Sequence, residues 1–249
     1  MSMQGKIIAL TGGASGIGLA TAKLISSRGA TVCIGDIDPS SLQTAEAHFS
    51  SLSVPFTVTK LDVTSRENVE SWIASIISKY GKLDGAVNSA GIIGKRHGLT
   101  NLTELEDDEW HEIIGVNLTG LMYCLRAELQ NISDGGSIVN LSSIQGVIGF
   151  AGSAAYGATK HGVIGLTRST AKENAHREVR VNAIAPGSIQ TPLLNQAHKA
   201  NPKEGTDLPS AIKRVGTAEE MANIIAFLLG PESSYVTGSV YGADGGWNC

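Results

Sequence analysis

A short apolar run, Lys6-Ile-Ile-Ala-Leu10, breaks into Thr11-Gly-Gly-Ala-Ser-Gly-Ile-Gly18 and resumes as Leu19-Ala-Thr-Ala-Lys-Leu-Ile25, an order that leaves the chain few ways to fold. The first run is rich in strand formers, so the segment reads as strand, glycine turn, helix. Gly12, Gly16 and Gly18 let the backbone turn tightly, approach a pyrophosphate with no Cβ between, and pack the helix against the strand. The helix that starts around Ser15-Gly16-Ile17 offers its free N–H groups to phosphate.

A second apolar run, Thr31-Val-Cys-Ile-Gly-Asp36, ends in a carboxylate eighteen positions after Gly18. An acid about 20 residues beyond the glycines suits the ribose hydroxyls of an adenine dinucleotide. The alternative is that Asp36 starts the turn Asp36-Ile-Asp-Pro39, a role that Asp38 fits better. A carboxylate here would repel a 2′-phosphate, and the positions where a cation would welcome one, Ser15 and Ile37, are uncharged. The expected cofactor is therefore NAD rather than NADP.

Strand-like and helical patterns alternate along the rest of the chain, which predicts an α/β fold with a doubly wound parallel sheet and helices on both faces. Strands are expected at Phe56 to Leu61, Leu83 to Asn88, Ser137 to Leu141 and Val179 to Ala185. Val69, Trp72, Ile73, Ile76 and Ile77 repeat at helical spacing and should cover the sheet. Further helices are expected from Asp107 to Gln130 and around Tyr156. Ligands of such sheets bind outside the carboxyl ends of the strands, where Gly12, Asp36, Asn88, Ser143 and Pro186 all fall.

The 249 residues, 42% hydrophobic with 30 glycines, permit one domain with a substantial core, and no linker marks a second. A net charge of -4 with no basic cluster argues against nucleic acid as principal partner. No apolar stretch is long enough for a bilayer, and Met1 to Lys6 lacks the core of a signal peptide, so a cytoplasmic protein is expected. Cys33, Cys124 and Cys249 are odd in number and far apart, which fits a reducing compartment. Of the sequons beginning at Asn101, Asn117, Asn131 and Asn140, those at Asn117 and Asn140 lie in expected regular elements. Histidines and cysteines show no metal-ligand spacing, and no catalytic metal is expected.

Tyr156-Gly-Ala-Thr-Lys160 places a phenol and an ammonium on one helical face. A neighbouring cation favours phenolate and lowers the tyrosine pKa from about 10, which suits proton exchange with an alcohol or carbonyl oxygen. Alone the pattern is weak; Ser143, thirteen positions upstream, and the glycine turn give it partners. Ser142 is the alternative to Ser143, since neighbours on a strand point in opposite directions. Neither serine sits in a G-x-S-x-G elbow, which disfavours a hydrolase.

The chain resembles the short-chain dehydrogenases/reductases over nearly its whole length. Thr11-Gly-x-x-x-Gly-Ile-Gly18, Leu61-Asp-Val63, Asn88-Ser-Ala-Gly91, Val116-Asn117, Ser142-Ser143, Tyr156-x-x-x-Lys160, Pro186-Gly187 and Asp244-Gly-Gly246 occur in family order, with Ser89 where many members have a second Asn. The resemblance implies a single Rossmann-type domain, a nicotinamide cofactor and reversible hydride transfer between an alcohol and a carbonyl. Tyr156 would then exchange a proton with the substrate oxygen, Ser143 would hold that oxygen, and Lys160 would touch the nicotinamide ribose. Asp62 and Val63 would meet the adenine, and Asn88, Ala90 and Gly91 would line the cofactor, with a purely structural Asn88 as the equal alternative. Asn117 would hold a water against the lysine or, alternatively, bond locally within its helix. Ile189 and Thr191, after Pro186 and Gly187, would lie near the carboxamide. A homotetramer built through the helices of Asp107 to Gln130 and Tyr156 to Ala175 is also implied.

Residues 188–214 are read as a lid, irregular and mobile from Leu193 to Arg214, where prolines at 202 and 209 and Gly205 interrupt any pattern. Ile92, Ile93, Val147, Ile148, Phe150, Leu193 and Leu194 predict an apolar pocket for a hydrophobic secondary alcohol or ketone, cyclic ones included. Gln145 would add one polar contact, and Lys95-Arg-His97 reads as a solvated loop. A dehydratase or epimerase using the same crevice, or a silent dinucleotide-binding regulator, are the competing readings.

Overall fold

The computed structural model describes residues 2–52, 54–202 and 208–249. Seven parallel strands form one sheet: β1 (Ile7–Thr11), β2 (Thr31–Asp36), β3 (Phe56–Lys60), β4 (Leu83–Asn88), β5 (Ile132–Leu141), β6 (Arg180–Pro186) and β7 (Val240–Ala243), in the order β3-β2-β1-β4-β5-β6-β7. The winding reverses between β1 and β4, which opens a crevice at their carboxyl ends. The doubly wound sheet expected from the alternating pattern is thus the fold. It gains a seventh strand, β7, whose residues at the sheet edge, three half-buried and Gly242 exposed, gave no apolar run to detect.

Side chains of β1 alternate between two cores. Ile8 and Leu10 join Ala22 and Ile25 of α1 (Gly16–Ser27), Leu42, Ala45 and Phe49 of α2 (Pro39–Ser50), and Ile225 of α8 (Ala218–Leu229). Ile7 and Ala9 join Val69, Trp72, Ile73 and Ile76 of α3 (Arg66–Tyr80), together with Leu121, Cys124 and Leu125 of α5 (Leu121–Asn131) and Val163 of α6 (Ala154–Glu173). Burial on both faces is why the central strands read as unbroken apolar runs. Trp72 and Cys33 are core residues, as their spacing suggested.

Two helical segments differ from expectation. The helix foreseen from Asp107 to Gln130 is divided into α4 (Asp107–Ile114) and α5 by a wider π turn, Gly115–Gly120, within which Asn117 is 2% exposed. Val63 lies so close to Gly120 that a Cβ there would stand 2.9 Å from its Cγ2, a packing need that helical spacing does not reveal. The segment foreseen as irregular after Leu193 begins instead with α7 (Pro192–Ala200). Thr191 caps it, accepting from the Leu194 amide at 3.2 Å, and Pro192 occupies the first turn, where its missing N–H costs nothing. Gly205 of the foreseen lid lies outside the described residues.

Candidate active site

A cleft of about 490 Å³ opens at the carboxyl ends of the strands. At one end the glycine turn supplies Gly12, Ser15, Gly16 and Ile17 to its wall. Gly12 has φ +60°, and a Cβ on it would stand 2.7 Å from the Ala90 amide, so only glycine lets the two loops meet. Gly18 lies behind the wall, where a Cβ would strike the Gly12 carbonyl; its role is to pack α1 under the turn.

The first turn of α1 has no acidic residue, and Ser15 makes no side-chain cap. Elsewhere Asp38, Ser65 and Thr217 cap α2, α3 and α8. Amide groups left without a cap at a cleft wall fit the pyrophosphate of a dinucleotide. Asp36 and Ile37 line the same end, beside Asp62 and Val63. Asp36 accepts from the Ala14 amide at 3.1 Å and from the Asp38 amide at 3.2 Å, while Asp38 itself accepts from Ser41 as the cap of α2. Asp62 accepts from the amide and hydroxyl of Thr64 at 2.9 and 2.7 Å. Lys160 is the sole Lys or Arg among the described residues lining the cleft, against three carboxylates, Asp36, Asp62 and Glu112.

Ser143, Tyr156 and Lys160 come together at the other end. The Ser143 hydroxyl accepts from the Gln145 amide at 3.1 Å and is hydrogen-bonded to Tyr156. Ser142 turns away, donating to the Lys160 carbonyl at 2.8 Å. Lys160 Nζ donates to the Leu141 carbonyl at 2.8 Å and stands 5.5 Å from the Tyr156 ring centre. Burial pushes the Tyr156 phenol up to about 12, with the Ser143 hydrogen bond opposing it, and pulls Lys160 down to about 8. The lowered tyrosine expected beside a lysine is therefore not what the cleft produces: loss of water around the phenolate dominates. At neutral pH Lys160 still carries its charge.

Ala90, Gly91, Pro186, Gly187, Ile189 and Thr191 also line the cleft; Asn88 and Asn117 are not part of its wall. Asn88 donates to Glu128 at 2.9 Å and to Asn140 at 3.0 Å, inside the core beneath the cleft. Asn117 grips Ile92 from below, accepting from its amide at 2.8 Å and donating to its carbonyl at 2.9 Å, and also donates to Thr159 at 3.3 Å. The Asn88 geometry is the structural alternative weighed for it, whereas Asn117 bonds not within its helix but to Ile92 and Thr159, 25 and 42 residues away.

The apolar wall is formed by Ile92, Ile93, Leu193, Leu194 and Ala197, with Leu193 and Ala197 of α7 packed against Tyr156. Val147, Ile148 and Phe150 are not in it: Val147 is exposed, and Phe150 stacks edgewise on Trp247, which itself reaches the cleft. Trp247 was not foreseen, and His97 was expected on a solvated loop. Lys95 and Arg96 are exposed as expected, but His97 is buried and meets the Tyr156 ring edge-on at 5.3 Å. Its loop is pinned by the Gly98 amide to the Gly152 carbonyl at 2.9 Å, a contact between glycines at positive φ with no signature in sequence spacing.

Among the described residues no three His, Cys, Asp or Glu side chains are placed to share a metal ion, and no helix is long and apolar enough to cross a membrane. Residues 12–248 match a family model described as Enoyl-(Acyl carrier protein) reductase. The chain is 56% identical over 251 residues to Short-chain dehydrogenase/reductase ABA4 of Pyricularia oryzae, covering 99% of this chain and 93% of the relative. It is 36% identical to a cyclohexanol dehydrogenase of an Acinetobacter species, covering 97% and 94%. The crystal structure of a levodione reductase superposes with a TM-score of 0.91 at 33% identity, covering 98% of this chain and 97% of that one.

Proposed function

The chain belongs to the short-chain dehydrogenase/reductase family and is a nicotinamide-dinucleotide-dependent oxidoreductase acting on a small hydrophobic molecule, and on that premise we propose that it interconverts a secondary alcohol and a ketone with NAD(H), Tyr156 serving as general acid and base. The observation that carries this reading is the convergence of Ser143, Tyr156 and Lys160 at one end of a cleft whose other end is the uncapped start of α1.

Asp36, with Lys160 as the sole Lys or Arg among the described residues lining the cleft, supports NAD, because a 2′-phosphate would meet carboxylates and, among those residues, no cation at the adenosine end. The bound nicotinamide supplies the hydride carrier, and the protein orients it and manages the proton. In reduction, Tyr156 passes its phenolic proton to the nascent alkoxide while Ser143 holds the oxygen. In oxidation the phenolate takes the alcohol proton. Lys160, held by the Leu141 carbonyl, would touch the nicotinamide ribose.

The apolar wall, and kinship with proteins named for cyclohexanol and levodione, support a hydrophobic cyclic substrate. The proposal includes residues 188–202 and 208–214 as a cover over Tyr156, and a homotetramer. Following NADH absorbance with a panel of cyclic ketones and alcohols and both cofactors tests the reading. Turnover with NADPH alone, or product formed with no net change in absorbance, would refute it in favour of NADP or of a dehydratase or epimerase.

A further inference from the structure

The chain ends in Asp244-Gly-Gly-Trp-Asn-Cys249, a segment that the proton-transfer chemistry leaves without a task. β7 pairs with β6 and delivers this tail to the carboxyl end of the sheet. There the Asp244 carboxylate accepts from the Gly246 and Asn248 amides, both at 3.0 Å, one on each oxygen. Gly245 and Gly246 lie at φ +66° and +77°, a left-handed pair that glycine adopts without strain, and together they fold the chain back on Asp244. The turn so formed carries Trp247 to the cleft wall.

The same tail is tied to both roots of the cover over Tyr156. The Gly187 amide, just before the cover, donates to the Ala243 carbonyl at 3.1 Å, and the Ile212 amide, on its return, donates to the Gly245 carbonyl at 2.8 Å. Trp247 is backed by Phe150, whose ring meets it at 5.4 Å and 62° and which is itself no part of the cleft wall. Phe150 lies on the loop that follows Ser143 and Gln145, so the indole stands at the reactive end of the cleft rather than the adenosine end. Propped from behind and held at its base, the indole is only half-buried at an apolar wall, and its uncovered surface favours an apolar partner that takes it out of water.

We propose that Trp247 is a specificity-determining residue that packs against an apolar substituent of the substrate, remote from the reacting carbonyl, and that Asp244 is the positioning residue that holds it there. The tail then closes the substrate end together with α7, and the enzyme selects ring ketones that carry a further apolar group over unsubstituted ones. The inference rests on the proposed alcohol–ketone chemistry and adds what recognises the rest of the molecule.

The test compares cyclohexanone with 4-phenylcyclohexanone, which adds one apolar group and no polar atom, in steady-state NADH oxidation by the purified full chain. Both are measured on the same sample, so the ratio of their kcat/KM values is untouched by any loss of folded enzyme. Wild type should favour the substituted ketone by about tenfold, the yield of about 60 Å² of apolar contact. Trp247→Ala should bring the ratio to within about twofold of one, mainly through KM for the substituted ketone, with NADH binding by fluorescence unchanged. Asp244→Ala keeps the indole but frees the tail and should lose most of the preference, while Asp244→Asn, which retains an acceptor for one of the two amides, should keep an intermediate ratio. A merely structural Asp244 would lower the melting temperature in both variants and leave the ratio alone, which overturns its positioning role. A ratio near one in wild type, a ratio that survives Trp247→Ala, or NADH binding that weakens in its place overturns the inference and leaves the alcohol–ketone reading intact. Failure to reduce either ketone, with NADH bound, refutes that reading for cyclic ketones and the inference with it.

Discussion

Asp36 at the end of β2 accepts a hydrogen bond from the Ala14 amide, so a carboxylate that lines the cleft also anchors the glycine turn after β1. On the proposed NAD reading, one side chain would couple cofactor selection to the shape of the glycine turn. Its second oxygen takes the Asp38 amide, which fixes the carboxylate plane.

Replacing Asp36 by alanine should consequently do two things. The preference for NAD over NADP should narrow, because the repulsive charge is gone, and KM for NAD should rise roughly tenfold as the turn loosens, the value of about one charge-assisted hydrogen bond. Asp36→Asn, which keeps acceptor capacity without charge, should narrow the preference with a smaller rise in KM. Cofactor titrations with both dinucleotides decide this; an unchanged ratio of kcat/KM values would reduce Asp36 to a turn residue.

For Tyr156→Phe we expect normal NADH binding and a loss of roughly 10²–10⁴ in turnover, the usual worth of a general acid–base. Since burial holds the phenol up to about 12, the proton donor is present throughout the neutral range. Oxidation, which needs the phenolate, should accelerate as pH rises, while reduction at neutral pH is sustained. Both pH profiles, measured on one alcohol–ketone pair, check the assignment; wild-type kcat in the variant would sink it.

Asn117→Ala removes both hydrogen bonds to the Ile92 backbone and leaves that loop segment without partners. The expected cost is about 2–3 kcal/mol in stability, with KM for substrate raised because Ile92 and Ile93 form the cleft wall. Asn117→Asp keeps the acceptor for the Ile92 amide and should fall between. Thermal melts with kinetics on the same samples separate this positioning role from a purely catalytic one, which would lower kcat and leave the melting temperature alone.

The legible part of the molecule was the part governed by local chemistry. Six strands were legible, five as buried runs and β3 as a half-buried one, and the cofactor end followed from glycines that must meet Ala90 and pack α1. What stayed hidden depended on long-range packing. Gly120 of the π turn packs on Val63, 57 residues earlier in the chain, and the loop that carries the buried His97 is pinned where two glycine loops touch. The missed helix α7 is a different case: Thr191-Pro192 is a good start signal, and later prolines and glycine drew attention away from it. The tyrosine–lysine spacing revealed the partners but not the balance between them, because desolvation depends on what covers the site, here Leu193 and Ala197.

Glu128 carries the last prediction. It is 1% exposed on α5, and burial pushes its carboxyl up to about 7 against a smaller opposing effect of the Asn88 hydrogen bond. Asn88 Nδ2 donates to Oε2, yet Asn88 Oδ1 and Glu128 Oε1 both lack partners. A protonated carboxyl turns one of its acceptors into a donor, which allows a paired acid–amide contact in place of two unmet acceptors. The folded state thus holds this proton more tightly than the unfolded chain, where the carboxyl keeps its value of 4.5. Its contribution is fully present below about pH 4.5 and is lost as pH rises through about 7. The difference amounts to roughly 3 kcal/mol, or on the order of 5–10 °C in melting temperature for a chain of this size. Glu128→Gln, neutral at every pH, should remove that part of the slope between pH 5 and pH 8. Calorimetry of the two proteins across this range gives the answer, and parallel slopes would mean that Glu128 is ionised in the folded protein.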